Sequence, residues 1–188
     1  MLNNTFSRVP SKKPSVNKGL TFIEVLVAVF ILVTGILGAV AMQASAKKGS
    51  FDAMQRSVAS ALAQDIVERM RSNNATALAG YAATDYGVQL DTPPDKRCNT
   101  IAGLCSPAEM MGNDRYEWEV SLMGADVVNG GNNRAGLTGV RGCISQAANA
   151  VTVVVSWEGR TDIADAKKDS CGTASTKRRQ VIVKAFIN

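Results

Sequence analysis

Glu24 is the one charged residue in an apolar run from Leu20 to Met42. A carboxylate at membrane depth costs roughly 2.5 to 3.5 kcal/mol on insertion scales, so it marks a function and asks for a named partner. The run is long enough to span: about 1.5 Å per helical residue gives it roughly 35 Å, against a hydrocarbon core of about 30 Å. Ahead of it, residues 1–19 hold Arg8, Lys12, Lys13 and Lys18, two prolines and no acid. A secretory signal carries its apolar core inside the leader, before a small-residue cleavage site. Here the small residue, Gly19, precedes the apolar run, and a cut there leaves the anchor on the mature chain. The basic flank starts the N-terminus in the cytoplasm and sends everything after Met42 across the membrane. A plainer account is an ordinary single-pass anchor whose Glu24 snorkels to the cytoplasmic interface.

The remaining chemistry-bearing residues give less. The chain has no histidine, which removes the commonest general base and with it Ser-His-Asp and Cys-His catalysis. Cys98, Cys105, Cys143 and Cys171 fall in the part predicted to lie outside the cytoplasm, where thiols oxidise. Four cysteines allow three pairings; Cys98 with Cys105 and Cys143 with Cys171 are favoured, because each pair joins loops beside sheet elements. Zinc would need closer cysteine spacing or histidines, so no metal or other cofactor is expected. Asp162, Asp165 and Asp169 lack the regular alternation of a calcium loop, and Lys167 and Lys168 between them would repel a cation. Gly136-Leu137-Thr138-Gly139 lacks the lysine and spacing of a phosphate-binding loop. Glu117 and Glu119 share one face of an expected strand, a face that should be solvated. Lys177-Arg178-Arg179 reads as a solvated guard on a strand edge, with nucleic-acid contact the lesser alternative. Asn74-Ala75-Thr76 matches a glycosylation sequon in form only.

The sequence pI of 9.2 overstates the basic character. Four of the 21 Lys and Arg lie in residues 1–19 while all 16 acids lie beyond them, which leaves the rest of the chain close to neutral. Nothing in that balance calls for nucleic acid.

Helical patterning continues past Met42 but becomes one-sided. Phe51, Met54, Val58, Leu62, Ile66 and Met70 recur at three- and four-residue intervals and predict one apolar face, with Lys47, Lys48, Asp52, Arg56, Asp65, Glu68, Arg69 and Arg71 mostly on the others. Ser72-Asn73-Asn74 ends this pattern. Gly35 and Gly38 inside the span suit either close helix packing or a weak stretch able to unwind, since each costs up to about 1 kcal/mol relative to Ala. Beyond it, Tyr116, Trp118, Val120 and Leu122 alternate with polar residues and predict a strand; Val151 to Trp157 and Val181 to Ile187 predict two more. Ser106-Pro107 predicts a short helix from Pro107 to Gly112. Gly124 to Gly142 and Glu158 to Arg179 should be long loops, and Trp118 and Trp157 should be core. A long helix on an antiparallel sheet is an α+β class fold.

Lys18-Gly19-Leu20-Thr21-Phe22-Ile23-Glu24-Val25 resembles the class III signal of type IV prepilins and type II secretion pseudopilins. The resemblance implies that a prepilin peptidase cuts after Gly19 and methylates the new amine of Leu20. It also implies that Glu24 meets that amine, its own or a neighbour's, in a staggered helical bundle, where pairing offsets the desolvation of both charges. The organisation implied is a cleaved leader (1–19), a transmembrane or filament-core helix (20–42), an amphipathic continuation (43–73) and a periplasmic or extracellular head (74–188) with a pilin fold. Gly35-Ile36-Leu37-Gly38, Ala41-Met42-Gln43, Asp65 to Asn73, Cys105 to Met110 and Val151 to Trp157 further resemble the PilV-type minor pilins. That finer resemblance implies a scarce subunit, without catalytic residues, that initiates pilus assembly at the tip. Its partners would be the prepilin peptidase, other minor pilins, the major pilin and the inner-membrane assembly platform. It would wait in the inner membrane, head in the periplasm, before reaching the cell surface. The rivals are a minor pseudopilin of a type II secretion system and, more distantly, a signal-anchored periplasmic enzyme or binding protein.

Overall fold

The computed structural model describes residues 19–99, 104–129, 132–133, 136–162 and 171–187. The leader cations, and Asp165, Lys167, Lys168 and Asp169, lie outside the described residues. Elements follow in the order α1 (Phe22–Ser72), a 3-10 helix (Ala75–Tyr81), β1 (Ala83–Tyr86), α2 (Pro107–Met123), β2 (Val128–Asn129), β3 (Asn132–Asn133), β4 (Arg141–Ala147), β5 (Ala150–Glu158) and β6 (Arg178–Phe186). The chain divides into two compact units, residues 1–44 and 45–188.

In the first unit, α1 opens where the Thr21 carbonyl accepts the N–H groups of Glu24 and Val25. Every described residue of this unit is exposed. With no proline in the span, nothing interrupts the helix. Gly35 and Gly38 are both helical, and a Cβ at either would meet open space.

The second unit is an α+β head. Strand order is β1-β4-β5-β6, antiparallel throughout, with β2 and β3 as a separate small ribbon. Val151, Val153, Val155 and Trp157 of β5 point into the core, as the alternation predicts, together with Ile144 of β4. From α1 the core receives Ala59, Ala63, Ile66, Val67 and Met70, with Gln55 buried on the same side. This corrects the predicted stripe. Ile66 and Met70 are buried and Leu62 half-buried, but Met54 and Val58 are exposed. The buried face is rotated toward Ala59 and Ala63, whose missing side-chain volume permits close approach.

The predicted strand from Tyr116 to Leu122 is instead the second half of α2. Ser106 and Glu109 close a capping box with Pro107 in the first turn, as the start signal predicts. The helix then runs past Gly112 to Met123, and Gly124, at φ 63°, takes the left-handed position that ends it, where glycine has no side chain to strain. Met111, Trp118 and Leu122 meet the core at helical spacing. The Trp118 indole N–H donates to the Leu62 carbonyl at 2.8 Å, tying α2 to α1. Gly142 of β4 is where the sheet admits that ring: a Cβ there would stand 2.6 Å from its Cη2.

Candidate assembly interface

The N-terminal signal residues lie together on an exposed surface. Gly19 and Leu20 precede α1, and Leu20 is 74% exposed. Glu24 occupies the first turn of the helix, where unpaired backbone N–H groups favour a negative charge. Around and beyond it, Phe22, Ile23, Phe30, Ile31, Leu32 and Leu37 all stand open. Of the described residues, only α1 is long and apolar enough to cross a membrane.

Cys98 and Cys105 are bonded, as are Cys143 and Cys171, the pairings favoured from their positions in the sequence. The first closes a loop ahead of α2; the second ties β4 to the segment before β6.

Two polar clusters in the head escaped the sequence. In one, the Tyr81 hydroxyl donates to Asp114 at 2.7 Å, and Arg69 reaches both Asp114 (3.4 Å) and Glu117 (2.8 Å). Arg97 adds a bond to Glu117 at 3.1 Å and stacks over Tyr116. Burial pushes Asp114 above the usual carboxylate range despite these donors. Burial works the same way on Glu117, but hydrogen bonds from Arg69 and Arg97 outweigh it and hold that group low. Burial also raises the Tyr81 hydroxyl, and pushes Tyr86 up to about 12. These phenols keep their protons at neutral pH, which suits anchoring rather than nucleophilic work.

In the other cluster, Asp52 of α1 accepts from the Arg160 backbone N–H at 3.1 Å and the Thr161 hydroxyl at 2.8 Å, and pairs with Arg179 at 3.4 Å. The Arg160 N–H, foremost, lowers the Asp52 carboxyl. Arg178 is tied to Glu158 at 3.0 Å and to the Gly139 carbonyl at 2.7 Å. Arg178 and Arg179 are therefore internal clasps, not the expected solvated guard. Glu119, expected on a solvated strand face, is buried and accepts from the N–H groups of Gly87 (2.9 Å) and Asp91 (3.1 Å).

These clusters hold the head together. A cleft of about 410 Å³ lined by Arg69, Arg97, Tyr116 and Glu117 is floored by ion pairs that already satisfy one another. Among the described residues no group of carboxylates or cysteines could hold a metal.

A family model described as Type IV pilin Tt1218 matches residues 41–116. The matched part runs from the end of the apolar run to the middle of α2, and includes the Cys98–Cys105 loop. It overlaps the resemblance drawn from residues 18 to 73 without containing the signal itself. Together with the long apolar helix and the antiparallel sheet, the match supports a place in the type IV pilin superfamily and a structural, pilin role. Such a role fits membrane anchoring and assembly with other pilins. No curated protein and no solved structure matches the chain.

Proposed function

We propose that this chain is a minor pilin of the type IV pilus, a scarce subunit, placed at the tip, that initiates assembly. One observation carries the reading. The apolar, wholly exposed start of α1 bears a single charge, Glu24, in its first turn and five positions after Gly19. An open apolar surface of that extent asks for lipid or for other helices, and lipid alone gives no reason to retain a carboxylate. A subunit that is cut after Gly19, methylated on Leu20 and then moved into a helical bundle does give one: Glu24 answers the amine of Leu20, its own or a neighbour's. The prepilin peptidase would make the cut, the inner-membrane platform would drive assembly, and the head would select neighbouring minor pilins and the major pilin. The role needs no cofactor and no catalysis.

Gly19→Ala and Glu24→Ala variants, scored for incorporation into sheared filaments, test this. The first should remain an unprocessed membrane protein, and the second should be processed yet assemble poorly. Normal incorporation of both would refute the assignment. A minor pseudopilin of a type II secretion system would use the same parts; genes for a pilus or for a secretion machine beside this one separate the two readings.

A further inference from the structure

Three cations gather at one end of the head. Lys47 and Lys48 are exposed on α1. Phe51 stands four and three positions after them, so all three side chains share a flank of the helix. Arg160, arriving from the far end of β5, lays its guanidinium over the Phe51 ring with Cζ 3.8 Å from the centroid. Its backbone N–H bonds Asp52, the larger of its two effects on that carboxylate; its charge adds a smaller one. The carboxylate of Asp52 is shared with Arg179 and Thr161, so it offsets only part of the group's charge. The exposed Arg160 side chain thus adds its charge to those of Lys47 and Lys48, with an aromatic ring beneath it.

The position of this group in the chain indicates what it meets. Lys47 comes five positions after Met42, the last residue of the apolar run. A headgroup layer of roughly 5 to 7 Å on each side of a bilayer takes up about four or five residues of helix. A chain whose apolar run lies in hydrocarbon must therefore bring its next few residues through phosphates. Lysine and arginine on long apolar stems, beside an aromatic ring, suit that layer, where one end of a side chain is apolar and the other wet.

We propose that Lys47, Lys48 and the Arg160–Phe51 stack form a rim that binds the phosphates of anionic phospholipids while the subunit waits in the membrane. This rests on reading the apolar run as a membrane anchor. The occupant is a lipid headgroup, and the rim docks the head on the leaflet it faces.

The test uses the full chain reconstituted in phosphatidylcholine vesicles, with and without phosphatidylglycerol, and measures which spin-labelled lipid is held in its first shell. Each cation at an anionic surface is worth about fivefold in partitioning, so the intact chain should favour phosphatidylglycerol about fivefold or more, and less at high salt. Lys47→Gln/Lys48→Gln/Arg160→Gln should lose most of the preference, keeping only the share due to the leader cations Arg8, Lys12, Lys13 and Lys18 that every variant retains. Lys47→Gln/Lys48→Gln, altering only exposed side chains, should lose part of the preference, and Lys47→Arg/Lys48→Arg should keep it. No preference in the intact chain, or full preference in the triple variant, overturns the rim. So does a triple variant that keeps its lipid preference but no longer joins its pilin partners, since the cations would then serve a protein contact. Failure of the intact chain to enter vesicles in alkali-resistant form overturns the anchor reading as well, whereas insertion without headgroup preference overturns the rim alone.

Discussion

Two stretches of one helix are held by different surroundings. From Phe22 to Ala44 the side chains of α1 are exposed on all sides, whereas from Gln55 to Met70 six residues are buried against the head. The backbone is helical in both. Continuity of hydrogen bonding therefore does not tell where a helix draws its stability, because most of that comes from the packing of its apolar surface. The head supplies that packing for one stretch. The described residues of the head do not supply it for the other; on the proposed function it comes from lipid first and from neighbouring helices afterwards.

The strongest way to break this comparison is to remove one buried side chain from the head stretch. Ile66 is fully buried among Ala63, Val67 and Met70. Ile66→Ala should cost about 2 to 5 kcal/mol through lost transfer energy and the cavity left behind. Urea unfolding of the detergent-solubilised chain, followed by near-ultraviolet circular dichroism of the core tryptophans, should show the midpoint fall. An unchanged midpoint would mean that this half of α1 is not held by the head either.

The same contrast explains which features could be read in advance. Residues 20 to 73 declared a helix because apolar length and the Ser72-Asn73-Asn74 stop are local signals, and β5 and β6 declared themselves by apolar, β-branched runs, Val151 to Trp157 and Val181 to Ile187, even though Val154 and Ile182 break the strict alternation. Gly19, Leu20 and Glu24 stood out because a lone charge in an apolar run is visible without any fold. The second half of α2 was not legible. Its alternating Tyr116, Trp118, Val120 and Leu122 imitate a strand, and three of its buried residues are the polar Asn113, Asp114 and Glu119. Those polar residues are buried because partners distant in sequence satisfy them: Tyr81 and Arg69, which serve Asp114, lie 33 and 45 positions away. No periodicity records such a pairing. The rotated face of α1 was hidden for a related reason, since pattern-reading favours large residues such as Met54 and Val58, while close packing on the sheet selects Ala59 and Ala63. β4 was missed because Gly142, Ser145 and Gln146 interrupt its apolar alternation.

A smaller effect should come from the clasp that joins α1 to the segment after β5. Asp52→Asn keeps one oxygen for the Arg160 N–H but sets an amide nitrogen where Oδ2 met Thr161 and Arg179, and should cost about 1 to 2 kcal/mol near neutral pH. The folded carboxyl is held below its value of 3.8. Its stabilising contribution is therefore complete above that unfolded value and is lost as pH falls through the lower folded one. Asp114, raised by burial, has the opposite sign: the native state holds its proton more tightly, so acid favours the fold there. The difference in unfolding free energy between Asp52→Asn and the unaltered chain should thus shrink as pH falls from about 6 to about 2, while the Asp114 contribution stays common to both. A difference independent of pH would show that the Asp52 charge does not matter to the clasp.

The smallest expected effect sharpens the comparison most. Leu32 lies in the same helix as Ile66 but is 60% exposed, and leucine and alanine differ little in helix propensity. Leu32→Ala should leave the unfolding midpoint of the head within about 0.5 kcal/mol of its starting value, as for an exposed substitution away from any core. The same substitution removes apolar area that lipid or a neighbouring helix would cover, at about 25 cal/mol per Å². Its cost should therefore surface only in filament incorporation or membrane retention, each measured beside the unchanged unfolding curve. Were Leu32→Ala to lower the head midpoint as far as Ile66→Ala does, the two stretches of α1 would share one source of stability, and the exposed run could not be reserved for partners outside the chain.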